Sequence, residues 1–355
     1  MKKITKLGLS ALCGSLALAS AVNAGEISVA GSAEITHLKV DGTTTGHPMG
    51  MKSNLTFTGS GELDGGQKVA LTITHTDKNA FSASNIALTT NNIGTFKLSN
   101  GSGADLGDYD DKSPTAWEES WDGGQGATTD NVSGVAGSTN INWTSPATTG
   151  KVMGGTTLII AYTPQNDGVT NNDKSSSGSS VNDAGMDVIL DLRSGKKLSG
   201  FMGYSRTKRP FNTSDEAKSG PDGHKEEAVV GLNYKLGPFS MGYQHSAEDL
   251  KSTTNARTKA VDMYLNRSWG VAMNINGGLS VSYGEATSNK IWTSTLSEAN
   301  QGKYTHKRKQ HSKAWNAAYT IGGVTAKYAT SETSNAAYSE GSTKEATLLS
   351  LGIAF

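Results

Sequence analysis

Beyond residue 24 the apolar residues of this 355-residue chain arrive singly, at every second position, with no long apolar run between them. Alternation of period two marks a strand with one face in an apolar phase and the other in water. It is clearest at the C-terminus, where Leu349, Leu351, Ile353 and Phe355 are large and apolar and Ser350, Gly352 and Ala354 between them are small. The first stretch reads the same way, with Ile27, Val29 and Ile35 set against Ser28, Ser32, Glu34 and Thr36. Further segments follow near 50–63, 68–74, 83–90, 94–100, 138–145, 156–164, 184–192, 197–206, 225–235, 239–248 and 261–275. Others start at 279, run through Trp315–Tyr319 and Val324–Tyr328, and begin again near 343, which makes sixteen. Asp64-Gly65-Gly66, Asn91-Asn92, Ser194-Gly195, Leu236-Gly237-Pro238, Asn276-Gly277 and Gly322-Gly323 are tight-turn sequences. Longer, polar connections such as 165–183, 207–223, 249–258 and 287–309 alternate with these turns.

A sandwich or a solenoid also alternates, but here the small and polar set is Lys, Asn, Thr, Ser and Glu in nearly every segment, and no strict repeat is present. A polar inner face, short turns at one end and long loops at the other describe an antiparallel transmembrane β-barrel with a wet lumen. Trp143, Tyr162, Tyr204, Tyr234, Tyr243, Tyr283, Tyr319 and Tyr328 fall near segment ends, as an aromatic girdle requires. The final segment ends the chain on an aromatic, as expected of a strand that closes against the first.

The N-terminus changes where this barrel is expected. Lys2, Lys3 and Lys6 precede the apolar stretch 7–21, and Val22-Asn23-Ala24 ends it on small residues. This predicts a secretory signal peptide over 1–24 and a mature barrel over 25–355. Cys13, the one cysteine, lies in the signal, so the mature chain needs no disulfide chemistry. The whole chain has 32 basic and 32 acidic residues, and removing three lysines leaves a mature charge of 29 − 32 = −3. That argues against a nucleic-acid partner, which needs a basic patch or stripe.

The long fifth connection, 101–137, carries the candidate chemistry. Asp105, Asp108, Asp110, Asp111, Glu118, Glu119, Asp122 and Asp130 are opposed there only by Lys112. Lining a narrow passage, such a cluster concentrates cations, repels anions and raises some of its own pKa values; on an external loop it would only aid solubility. Ser113-Pro114 marks a bend. Trp117 and Trp121 have the spacing of a helical turn docked on the wall, or of a sugar-binding surface. Asp105, Asp108, Asp110 and Asp111 are weak Ca²⁺ candidates, because no Glu closes a twelve-residue loop.

At this point the chain resembles the general bacterial porins, the trimeric sixteen-stranded family of Gram-negative outer membranes. Gly94-Thr95-Phe96-Lys97-Leu98 before the acidic stretch looks like that family's entry into loop three. Ser138-Thr139-Asn140-Ile141-Asn142-Trp143-Thr144-Ser145-Pro146 looks like its sixth strand and following turn, and Phe355 like the signal read by the barrel-assembly machinery. The resemblance implies an all-β, sixteen-stranded antiparallel transmembrane β-barrel whose third loop folds into the lumen. It also implies a homotrimer among outer-membrane lipids and lipopolysaccharide. The acidic loop would face basic residues on the opposite wall, for which Lys52, Lys97 and Arg206, with Lys39 and Lys68, are the candidates; the match is poor, since Ser84–Thr89 has none.

The expected function is passive diffusion of small hydrophilic solutes and ions, with a preference for cations. The alternative is an adhesin or ligand-binding barrel acting through its loops. A hydrolase needs a converging nucleophile, base and carboxylate. His75 and His245 fall on the apolar face, His47, His224 and His306 in loops, and neither Gly-x-Ser-x-Gly nor His-Glu-x-x-His occurs. No resident cofactor or metal is expected beyond the weak Ca²⁺ possibility.

Overall fold

The computed structural model describes residues 26–42, 46–77, 79–100, 104–122, 127, 129–150, 153–164, 184–208, 224–250, 260–295 and 303–355. Residues 1–24, expected to be a signal peptide, the connection 165–183 and most of 207–223 and 249–258 lie outside the described residues.

The alternating segments form strands β1 (Glu26–Val40), β2 (Met49–Glu62), β3 (Lys68–Thr76), β4 (Asn79–Thr90), β5 (Gly94–Asn100), β6 (Asn140–Thr144), β7 (Thr157–Thr163) and β8 (Ala184–Ser194). The second half comprises β9 (Leu198–Lys208), β10 (His224–Leu236), β11 (Phe239–Asp249), β12 (Ala260–Asn274), β13 (Leu279–Thr295), β14 (Lys303–Ile321), β15 (Val324–Ser334) and β16 (Thr343–Ala354). Each pairs antiparallel with its sequence neighbours, and β1 pairs with β16 from Ser32↔Ala354 to Val40↔Ala346, so the sheet closes into a barrel. Closure leaves no edge strand unpaired, which a sheet surrounded by hydrocarbon requires. Beyond the last pair Phe355 and Gly31 exchange backbone hydrogen bonds of 2.9 and 2.8 Å. A Cβ on Gly31 would sit 2.5 Å from the Phe355 ring, so glycine there makes the seat for the terminal aromatic.

The outer face carries the large apolar set, among them Ile35, Met51, Phe57, Ile86, Leu98, Ile141, Leu232, Met241, Trp315 and Leu351, all exposed. The inner face is polar, and its side chains include Ser99, Asn142, Asp187, Glu227, Gln244, Asn266, Ser282, Gln310 and Asn316. Among the described residues, the larger apolar cluster on the inner face lies in one area, and a smaller one joins Leu250, Tyr264 and Tyr338. Ile159, Ile189, Phe201 and Val229, on β7 to β10, pack with Leu106, Tyr109 and Val132 of the long fifth connection. The fold therefore has no central core; its larger interior apolar cluster is the seat of one loop.

Two connections differ from the sequence expectation. The stretch 287–309, expected as a loop, is mostly strand: β13 and β14 stay paired from Thr287↔His311 to Thr295↔Lys303. Its outer face there is polar, with Asn289, Lys307 and Lys309. The strands run past the apolar layer, so the alternation that reveals a strand fades although the ladder continues. At the same end of the barrel, β3 and β4 are joined only through 77–78. Asp77 turns there with φ +53 and its Oδ1 accepts the Ser53 N–H at 2.7 Å.

Candidate constriction site

Loop three, between β5 and β6, is tied to the inner wall along two limbs. The outgoing limb begins with a 3₁₀ turn over Leu106–Tyr109, capped by Asp105, whose carboxylate accepts the Gly107 N–H at 3.1 Å. Leu106 donates its N–H to Asp187 on β8 at 2.9 Å. The Gln244 side chain on β11 donates to the carbonyls of Tyr109 and Asp110 and accepts the Lys112 N–H. Ser113 meets Ser268 on β12, Ala116 donates its N–H to Ser282 on β13, and Glu118 exchanges backbone hydrogen bonds with the Asn316 side chain on β14. Small residues permit this approach: a Cβ on Gly270 would lie 2.3 Å from the Pro114 carbonyl oxygen, and one on Gly242 2.5 Å from Pro114 Cδ.

The returning limb runs nearer the long-loop end. Gln310 on β14 donates to Thr129, and Asn266 on β12 donates to the Asp130 carbonyl at 2.6 Å. Ser133 and Gly134 donate both N–H groups to the Glu227 carboxylate on β10 at 2.8 Å each. Val135 donates its N–H to the same Asp187 oxygen that holds Leu106. Gly134 has φ +56, and a Cβ there would meet Asp187 Oδ2 at 2.3 Å, so only glycine fits. Lys225, 3.0 Å from Glu227 and 3.3 Å from Glu248, completes a buried charge network under this limb. Irregular backbone carries donors and acceptors that must be satisfied, and polar wall side chains satisfy them here.

The acidic cluster is therefore held against β8–β14. Burial pushes Asp105 up to about 7, helped by the charges of Asp108 and Asp187. Burial likewise raises Asp110 to about 6, with Asp111 beside it, and Glu119 to about 7. Glu118 also rises to about 7, through burial and then Asp122. Asp108 is raised by burial against the pull of Lys112 and Lys97. The sequence attributed such shifts to like charges alone, whereas desolvation is the larger cause.

The four aspartates proposed for Ca²⁺ do not converge. Among the described residues, the carboxylates within 4.8 Å of one another are Glu118, Glu119 and Asp122, and Asp105 is occupied as a helix cap. Trp117 and Trp121 do not form a helical turn. Trp117 lies under Lys327, whose Nζ is 4.7 Å from its ring centroid, while Trp121 lines the crevice between the limbs with Asp110, Thr129 and Asn131.

Of the basic candidates, Lys52 pairs across with Glu34 on the inner face of β2 and β1, and Lys97 on β5 faces inward beside Asp105 and Asp108. Lys68 is also inward, at the short-turn end opposite Glu62. Arg206 is not a pore residue. It follows Met202 and Tyr204 on the outer face of β9, is exposed, and lies 3.9 Å from Glu226. Lys39 likewise points outward, 3.6 Å from Asp41. Arg206 shares the parity of Met202 and Tyr204, so the alternation itself places it outward, whereas Lys39 lies between Leu38 and Val40, where the alternation no longer marks a face. The reading missed Lys327, which bridges to Glu34 at 2.8 Å, and the wall anchors Asp187, Glu227 and Lys225. Their one sequence mark is a charge at an inward position of a strand.

The girdle is one-sided. Tyr162, Tyr204, Tyr243, Trp269, Trp315, Tyr319 and Tyr328 are exposed on the outer faces of β7 to β15. Residues 26–100 and 339–355, which form β1–β5 and β16, contain neither Tyr nor Trp.

A family model described as Gram-negative porin matches residues 8–330. No curated protein matches the chain. Among solved structures it is similar to an anion-selective porin from Comamonas acidovorans, with TM-score 0.63 and 13% identity over 93% of this chain and 100% of that one. It is also similar to OmpT of Vibrio cholerae, with TM-score 0.62 and 9% identity over 95% of this chain and 99% of that one. OmpF of Salmonella typhi, in a complex with daunomycin, gives TM-score 0.60 and 14% identity over 94% and 98%. At these identities the likeness is one of fold.

Proposed function

We propose that this chain, which belongs to the Gram-negative porin family and is a passive channel of the outer membrane, prefers cations because loop three narrows its lumen with carboxylates. The observation that carries this is the tethering of the acidic limb. Gln244, Ser268, Ser282 and Asn316 hold residues 109–118 on the inner wall, so the acids between them share the path of any solute. Lys52 across the lumen, Lys97 beside Asp105 and Asp108, and Lys327 beside Trp117 are the facing cations and are outnumbered, which favours cations over anions. The pore takes small hydrophilic solutes, driven only by their gradients. The Comamonas relative is anion-selective, and 13% identity carries no selectivity across.

The working unit is a homotrimer built on the wall β16–β5. The missing Tyr and Trp support this, since aromatic side chains are favoured where a barrel meets the lipid interface and are not needed where it meets another barrel. The Vibrio OmpT has been seen in a trimer form. Residues 1–24 serve as a cleaved signal, and Phe355, seated on Gly31, as the assembly signal for insertion among outer-membrane lipids. Chemistry on the solute is not part of this reading.

The test is single-channel recording in a planar bilayer under a KCl gradient. Openings that close in three steps, with a reversal potential on the cation side, are expected. Replacing Asp105, Asp108, Asp110 and Asp111 by Asn moves that potential toward zero. Wild-type channels without cation preference would refute the role given to loop three, and a folded barrel without channels would refute the pore.

A further inference from the structure

We infer that the loop between β15 and β16 is a clasp that positions the returning limb of loop three, so that the calibre of the constriction is set from the long-loop mouth of the barrel. This loop, 335–342, makes a 3₁₀ turn over Ala336–Tyr338, and both of those side chains are buried. Its backbone is strained. Asn335, Ala337 and Tyr338 have φ of +52, +52 and +58. Asparagine tolerates that region, but alanine and tyrosine rarely adopt it, because their Cβ crowds the following carbonyl. Such a conformation persists only where its surroundings hold it.

A row of three inward residues holds it. The register places Asn266 on β12, Ser288 on β13 and Gln310 on β14 side by side, and all three are buried. Gln310 grips one segment with each end of its amide. Its Oε1 accepts the Ala337 N–H at 3.0 Å, and its Nε2 donates to Thr129 of loop three at 3.2 Å. Ser288 meets the Tyr338 hydroxyl at 2.7 Å and donates to Asn266 Oδ1, while Asn266 Nδ2 donates to the Asp130 carbonyl. The Tyr338 ring packs with Tyr264 and Leu250, and Lys290 Nζ lies 5.5 Å from its centroid.

The same side chains therefore serve two loops. Each hydrogen bond that keeps Ala337 and Tyr338 left-handed also orients the amide that holds Thr129 or Asp130. When Tyr338 lets go, relief of the strain carries loop 335–342 off the row, and the Gln310 and Asn266 amides are free to turn. The returning limb then keeps its bonds to Glu227 and Asp187 at residues 133–135 but loses its hold at 129–130. Loop three is released where the returning limb begins, and it moves more readily under an applied voltage. The inference rests on loop three being the constriction and does not depend on which ions it prefers.

Planar-bilayer recordings of the full mature protein at stepped voltages test it. Y338A removes the ring and the hydroxyl, and is expected to raise the closing rate at a fixed voltage by about tenfold. A337G keeps the path of the loop and removes its strain, so it is expected to lower that rate by roughly threefold. A loop that only packs against the wall would not give this opposed pair. An unchanged closing rate in Y338A, or a raised one in A337G, would overturn the clasp. Should Y338A fail to form channels, Y338F decides. It loses only the hydroxyl bond to Ser288 and is expected to speed closing by roughly threefold; a rate equal to the wild type would overturn the clasp. If the clasp alone is wrong, the reversal potential still responds to the Asp→Asn substitutions in loop three. If the constriction reading is wrong, that response is lost, so the two failures are told apart.

Discussion

The two walls of this barrel are built differently on both faces. On β8–β14 the inner face carries loop three, bound through Asp187, Glu227, Gln244 and Asn316, while the outer face carries Tyr and Trp. On β16 and β1–β5 the outer face has aliphatic residues with Phe57 and Phe96 but no Tyr or Trp, and the inner face presents Lys52, Lys97 and Glu34. One alternating strand pattern thus yields two kinds of wall, and the difference lies in what each face meets. Where polar backbone must lie against the sheet, inner positions become hydrogen-bonding side chains and glycines. Where lipid ends, outer positions become aromatic.

The largest break in this contrast should come from the loop anchors. Asp187→Ala with Glu227→Ala strips the acceptors from the N–H groups of Leu106, Ser133, Gly134 and Val135. It should destabilise the barrel by about 3–5 kcal/mol in urea unfolding and raise single-channel conductance. Lys52→Ala, on the bare wall, should change stability by less than about 0.5 kcal/mol. The outer faces separate next. Leu232→Arg, on the lipid-facing β10, should cost up to about 2–4 kcal/mol of folding stability in bilayers. Leu55→Arg on β2 should instead convert trimers to monomers on native gels; intact trimers would remove the interface from this wall. Gly270→Val drives a side chain into Pro114 and should cost about 1–3 kcal/mol, with lowered conductance as loop three is pushed inward. The smallest effects separate inner from outer cations. Lys97→Gln should shift the reversal potential slightly further toward cations, and Arg206→Gln should leave it unchanged.

Most of the barrel was legible because lipid enforces strict alternation. Leu349, Leu351 and Ile353 gave β16 its face, and Gly322-Gly323 its neighbour's turn. Legibility ended where lipid ends. Residues 287–309 looked like a loop because both faces of that ladder meet mostly polar surroundings. At the site the acids were visible as a run, but their anchors were not. Asp187 and Gln244 are ordinary inward polar residues until the partner N–H and C=O groups arrive from a segment distant in sequence. The same holds for Ile159 and Phe201, apolar residues on a polar face whose reason is Leu106 and Tyr109.

The most direct measurement is the K⁺/Cl⁻ permeability ratio as a function of pH. Asp105, Glu118 and Glu119 titrate near 7 and Asp110 near 6, so these carboxylates are ionised at pH 8 and neutral by pH 5. A cation preference that is strongest at pH 8 and declines as the pH falls through 7 and 6 is the predicted result. A ratio that does not change between pH 8 and 5 would contradict the claim that these buried acids line the conducting path.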